Sequence, residues 1–235
     1  MPTVPRRVLF VLTSHAELGA TGKPTGAYLP EISHPHAVLT AAGFEVDFVS
    51  PKGGRVPLYG LDASDEASVR FLGDEPTLAR LHDSATPERI DPSQYAAVFY
   101  AGGHGAMWDL GDQPTLARVA AQIWEAGGVV AAVCHGPAGL LGIHLSDGAP
   151  LLAGRRVAGF TNDEERAVGL AEVVPWLLAD ALEARGATHV PAPNWAANVV
   201  VDGRLVTGQN PASATGVGEA VARLLGDRAR GAAVG

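Results

Sequence analysis

The sequence predicts an α/β fold: a doubly wound, mostly parallel sheet flanked by helices. Three observations carry this. Short apolar runs at 8–12, 95–100 and 129–133 are too brief for helices and suit strands buried on both faces. Stretches of helical period separate them; Leu116, Val119, Ala120 and Ile123, for example, share one helix face. Strands alternating with helices force crossover connections, and those make neighbouring strands parallel.

Taken in order, 7–13 reads as a first strand ending at Thr13 and Ser14. A loop at 14–29 comes next, with Gly19, Gly22, Pro24 and Gly26. Loops after the carboxyl ends of parallel strands line ligand sites. This one delivers Glu31 just before a helix, with Pro35 suited to its first position and Gly43 to its end. Residues 45–50 alternate as a second strand. The stretch 51–92 is a polar, acidic elaboration over the sheet with short helices at 67–72 and 77–81, shaping a pocket or a dimer contact. The strand at 95–100 ends in Ala101-Gly102-Gly103-His104-Gly105, where glycines let backbone amides approach a ligand. The spacing matches neither a P-loop nor a dinucleotide fingerprint. An amide oxyanion site at Gly103 suits it better. A helix at 114–127 leads to the strand at 129–133.

That strand runs straight into Cys134-His135-Gly136-Pro137 and then into helix-compatible residues. Strand, reactive residue, tight turn and helix form the layout of a nucleophile elbow, which needs small neighbours such as Ala132 and Gly136. A helix N-terminus at that point would lower the thiol pKa. A lone cysteine in an apolar run otherwise reads as a small buried hydrophobe; the His-Gly-Pro turn argues against that. Further on, 156–160 is a strand ending at Thr161 to Glu165, 173–185 a helix, and 189–190 a short strand. Residues 198–202 and 204–207 form a hairpin about Asp202-Gly203. A last helix spans 211–225, and 227–235 is expected to be a flexible tail. The whole chain, 1–235, reads as one domain.

Composition narrows the function. The 235 residues carry a net charge of −8, which disfavours a nucleic-acid partner. No run approaches the ~20 apolar residues of a membrane span, and the amino terminus does not read as a signal peptide. A single cysteine excludes an intrachain disulfide and a cysteine-rich zinc site, and fits a cytoplasmic location. His34, His36, His104, Cys134 and His135 lack the spacing of a zinc motif, so no metal and no cofactor is expected. Three groups converge on one site: Cys134 with His135, Glu31, and Glu164 or Glu165. A cysteine nucleophile needs a base or cation nearby, and a carboxyl close to the thiol can exchange protons with it.

The run V-V-A-A-V-C-H-G-P-A-G-L-L at 129–141 resembles the elbow of the ThiJ/PfpI superfamily. Four further segments extend the likeness over nearly the whole chain: G-A-Y-L-P-E-I-S-H-P (26–35), A-G-F-E-V-D-F-V-S-P-K-G-G (42–54), A-G-G-H-G (101–105) and G-F-T-N-D-E-E (159–165). So does G-R-L-V-T-G-Q-N-P-A-S-A (203–214). Within the superfamily the chain is similar to the glutathione-independent glyoxalase III and heat-shock chaperone group. The resemblance implies a flavodoxin-like, glutamine-amidotransferase-like fold. It implies Cys134 as nucleophile, His135 as triad histidine, Glu31 as the acid beside the thiol, and Glu165 as third member, with Glu164 as the alternative. It implies the amides of Gly103 and His135 as the oxyanion hole. His104 and Trp108 are candidate pocket residues, and the segment 208–211 is structural. The implied activity converts methylglyoxal, a 2-oxoaldehyde, to lactate without glutathione, in a homodimer. A deglycase, an amide or peptide hydrolase, an oxidation sensor, and a holdase acting on unfolded client proteins are the competing readings.

Overall fold

A computed structural model describes residues 5–234, with side chains through 230. In chain order the elements are β1 (Arg7–Val11), β2 (Ala27–Tyr28), α1 (Pro30–Ala41), β3 (Glu45–Val49), β4 (Leu58–Tyr59), α2 (Glu66–Gly73), α3 (Glu75–His82), β5 (Tyr95–Tyr100), α4 (Ala106–Asp109) and α5 (Pro114–Glu125). Then come β6 (Val129–Val133), β7 (Arg156–Val157), α6 (Asn162–Ala167), α7 (Leu178–Ala184), β8 (Thr188–His189), β9 (Val199–Asp202), β10 (Leu205–Gly208) and α8 (Ala214–Val234).

The central sheet has the order β3-β1-β5-β6-β10-β9. All its pairings are parallel except β9 with β10, the expected hairpin. Every residue of β6 is buried, as are Val8 to Val11 of β1. This explains why these strands read as unbroken apolar runs instead of alternating ones. Phe10 stacks on Phe99 across the β1–β5 pair, with centroids 4.7 Å apart. From β1 the chain moves outward to β3, then returns to the other side at β5. That reversal opens a crevice at the carboxyl ends of the strands, the usual ligand site of such sheets.

Several boundaries differ from expectation. The first helix starts at Pro30, which takes the first position, so Glu31 lies in its first turn and not ahead of it. Pro35 sits inside the helix. Its missing N–H forgoes only the bond to the Glu31 carbonyl at the helix start. The strand expected at 156–160 pairs only over β7, and the helix expected at 173–185 is confined to α7, beyond the break that Pro175 imposes. The expected tail is instead helical through Val234. Arg228 anchors that stretch by donating to the Ala126 carbonyl at the end of α5 (2.6 Å). Residues 1–4 of the amino-terminal reading and Gly235 of the tail lie outside the described residues. The stretch 51–92 flanks the β3 edge, where the Ala85 amide bonds the Phe48 carbonyl, and packs on α1. It also supplies β4, which pairs with β2 and brings Tyr59 toward the crevice. Among the described residues no helix is long and apolar enough to cross a membrane.

Candidate active site

Cys134 comes directly after β6, with φ of +59°; Trp195 is the other non-glycine residue with positive φ among those described. A left-handed conformation costs a non-glycine residue ~1–2 kcal/mol. Two backbone bonds hold it here: the Cys134 amide donates to Gly208 (2.9 Å), and the Phe160 amide donates to the Cys134 carbonyl (2.9 Å). The turn admits no side chain at Gly136, where a Cβ would lie 2.2 Å from the Tyr100 carbonyl oxygen. The chain then enters a five-residue 3-10 helix, Gly136–Leu140, and not the expected α-helix. Pro137 lacks an amide donor, and Gly139 is pressed onto the Tyr100 ring. A helix dipole therefore does not lower this thiol. Burial and the neighbouring Glu31 push it well above its ordinary value, while the amides of Gly103 and His135, which face the sulfur, oppose that rise.

His135 turns back toward its neighbour. Its Nδ1 lies 3.3 Å from Cys134 Sγ, and its Nε2 donates to Glu165 Oε2 at 2.7 Å. With Nε2 carrying the proton, the neutral ring presents Nδ1 to the thiol as an acceptor. Burial holds the ring neutral down to about pH 4, with His104 as a like-charged neighbour acting in the same direction. Glu165 is held at about 2 because its two imidazole donors outweigh its burial.

Of the two glutamates left open by sequence, Glu165 is the one that reaches His135. Glu164 closes a capping box with Thr161 and accepts from Trp195 N (2.9 Å) and Asn210 Nδ2 (2.8 Å). Asn210 thereby ties the 208–211 segment to α6, a structural role. Glu164→Ala is expected to lower stability by about 1–3 kcal/mol through these lost partners. The check is a urea melt, with a shifted midpoint and an unchanged slope.

Glu31 reaches the other side of the sulfur. It is fully buried, neither carboxyl oxygen has a well-formed hydrogen bond, and the groups it faces are the Cys134 thiol and the Gly102 amide. Gly102 must be glycine, since a Cβ there would sit 2.3 Å from Glu31 Oε2. Desolvation lifts the carboxyl to about 8, so at neutral pH it is a protonated acid beside the sulfur. Gly103, with φ of +98°, likewise has no room for a side chain, and this brings its amide to the site.

His104 is more central than its sequence position suggests. Its Nε2 donates to Glu165 Oε1 at 2.9 Å, and its ring centroid is 4.1 Å from that of His135. Trp108 is not in this set of contacts. Its ring stacks on His15 and lines a separate cavity of about 360 Å³ with Trp176 and Arg185. Sequence reasoning missed Tyr59, whose hydroxyl meets both the amide and Nδ1 of His104 (3.2 and 3.3 Å). His104, His135 and Glu165 gather ligand-type atoms within 4.8 Å of one another. Both rings already spend an N–H on the carboxylate, so the cluster is complete as a hydrogen-bonded one. His34 bonds Asp65, and His36 packs between Phe48 and Phe71, so neither joins it.

Fold and site together define an α/β protein with a cysteine on a strained elbow, flanked by a histidine and a buried acid. The chain belongs to the DJ-1/PfpI family, whose model matches residues 25–223. It is 34% identical to the glutathione-independent glyoxalase HSP31 of Saccharomyces cerevisiae, over 89% of this chain and 94% of that protein. The crystal structure of glyoxalase III from Candida albicans superposes with a TM-score of 0.86 at 30% identity, covering 95% and 98% of the two chains. That of Rapid Encystment Protein 24 KDa from Francisella tularensis gives 0.90 at 33% identity, covering 94% and 99%.

Proposed function

We propose that this chain is a glutathione-independent glyoxalase that converts methylglyoxal to lactate. The observation that carries the reading is the sulfur held between an acceptor nitrogen, 3.3 Å away on His135, and the protonated carboxyl of Glu31. Its likeness to glutathione-independent glyoxalases over most of the chain supports the reading.

That pairing dictates the steps. The thiol proton passes to His135 Nδ1, and sulfur adds to the aldehyde carbon. The oxygen that becomes negative is met by the Gly103 and His135 amides. Glu31 gives its proton to that oxygen, leaving a hemithioacetal and a carboxylate. The carboxylate, basic because it is desolvated, removes the hydrogen from the same carbon, and His135 protonates the adjacent oxygen. This gives an enediol. Return of the Glu31 proton to the second carbon, with His135 taking the hydroxyl proton, yields a lactoyl thioester. Water cleaves it to lactate and regenerates the thiol. Neither glutathione nor an oxidant enters the balance.

The test is steady-state lactate formation from methylglyoxal in glutathione-free buffer. Absence of lactate from folded protein would sink the reading. We extend it to a cytoplasmic homodimer on family likeness, for which light scattering at micromolar concentration is expected to return twice the chain mass.

A further inference from the structure

The geometry points to His104 as a positioning residue that acts through Glu165 to keep His135 an uncharged base in the resting site. This rests on the reading of Cys134 and His135 given above, but it makes a claim of its own. The ring beside the sulfur is a neutral imidazole, not the cationic half of a preformed ion pair.

The controlling group is the carboxylate. Glu165 is buried and accepts one N–H from each ring, at 2.7 and 2.9 Å. A carboxylate serving one imidazole strongly favours that ring's charged form. Shared between two donors, its pull on each is divided. The two ring centroids are 4.1 Å apart, so a charge on one ring opposes a charge on the other. His104 is the more exposed of the pair, with 13% of its side chain accessible against none for His135. A charge on the enclosed His135 ring would have no water to solvate it, so His135 stays neutral.

The remaining atoms fix the tautomers. His104 Nε2 must carry its proton to bond a carboxylate that stays ionised, which leaves Nδ1 as an acceptor. Tyr59 fits that need: its hydroxyl donates to Nδ1 while accepting from the His104 amide. The charged or titratable groups facing His135 are Cys134 on its own turn, Glu165 and Glu164 from α6, and His104 from the loop after β5. Phe160 covers the rest of the ring. Only His104 offers Glu165 a second donor side chain among the described residues.

The test is direct observation of the histidines by nitrogen-15 NMR, which needs no substrate and no turnover. In the wild type at pH 7, His135 is expected as a neutral Nε2–H tautomer. An imidazolium at His135, or an Nδ1–H tautomer at His104, would overturn the proposal without a single variant being made. His104→Leu removes the second donor, and the His135 midpoint is expected to rise by about one pH unit, a tenfold gain in proton affinity. His104→Gln keeps an N–H donor for Glu165, and most of the wild-type midpoint should return. Equal midpoints in all three proteins, or equal shifts in both variants, would refute it. Glyoxalase activity is measured separately. Its absence in the wild type would remove the functional reading while leaving the histidine result to stand or fall alone.

Discussion

Cys134→Ala is expected to lower lactate formation on the order of 10³-fold or more while leaving the fold intact. The sulfur is the atom that forms and breaks the covalent bond, and none of its neighbours can replace it: His135 is pinned by Glu165, and Glu31 faces the sulfur. The fold should survive because Cys134 contributes a small side chain, and the turn is held by its backbone bonds to Gly208 and Phe160. Alanine keeps those bonds and the positive φ that cysteine already tolerates. Full activity in this variant would exclude covalent chemistry at the elbow. The hydrolase and deglycase readings share the nucleophile, so loss of activity does not choose among them; the product does. Lactate is diagnostic of the internal proton shift, whereas free amine released from a glycated amino acid would mark deglycation.

The parts of this site that were legible in sequence are those whose chemistry is written locally. The elbow is one contiguous run, and its glycines are demanded by contacts within a few ångströms of the turn, such as Gly136 against Tyr100. The strands of the central sheet were legible because burial on both faces removes polar residues. The parts that were not legible depend on distant partners. Glu164 and Glu165 are adjacent and chemically identical; Thr161 engages Glu164 locally in the capping box, but Asn210 and Trp195 on one side, and two histidines on the other, complete the separation of their roles. Pro35 reads as a helix start because proline often takes that position. The helix instead begins at Pro30 and carries Pro35 within its second turn, which buries Glu31 in the first. Tyr59 lies in a two-residue strand, too short for any periodicity to reveal. Trp108 reads as a pocket residue because it comes just after the glycine loop; α4 turns its ring toward His15, outside the contacts around Cys134.

Glu31→Gln is expected to cut kcat by about 10²–10⁴-fold, the usual span for a lost acid–base group, with a much smaller change in KM. Glutamine preserves the shape but can neither give a proton to the developing alkoxide nor take one from carbon. The same substitution has a second consequence of opposite sign. Burial raises the folded-state value of Glu31 from 4.5 to about 8, so the folded protein binds this proton more tightly than the unfolded chain. Such a group favours folding at low pH, and that contribution is lost as pH rises from about 4.5 through about 8. Above that window the folded wild type must bury a carboxylate without well-formed hydrogen bonds. The glutamine variant escapes this cost. Its melting temperature should therefore stay near that of the wild type at pH 5 and exceed it at pH 8.5, while its activity is low at both. Paired melts at the two pH values make the comparison. A variant that is less stable than wild type at pH 8.5, or equally active, would mean that residue 31 is an ordinary ionised carboxylate, and the proton traffic assigned to it would have to run elsewhere.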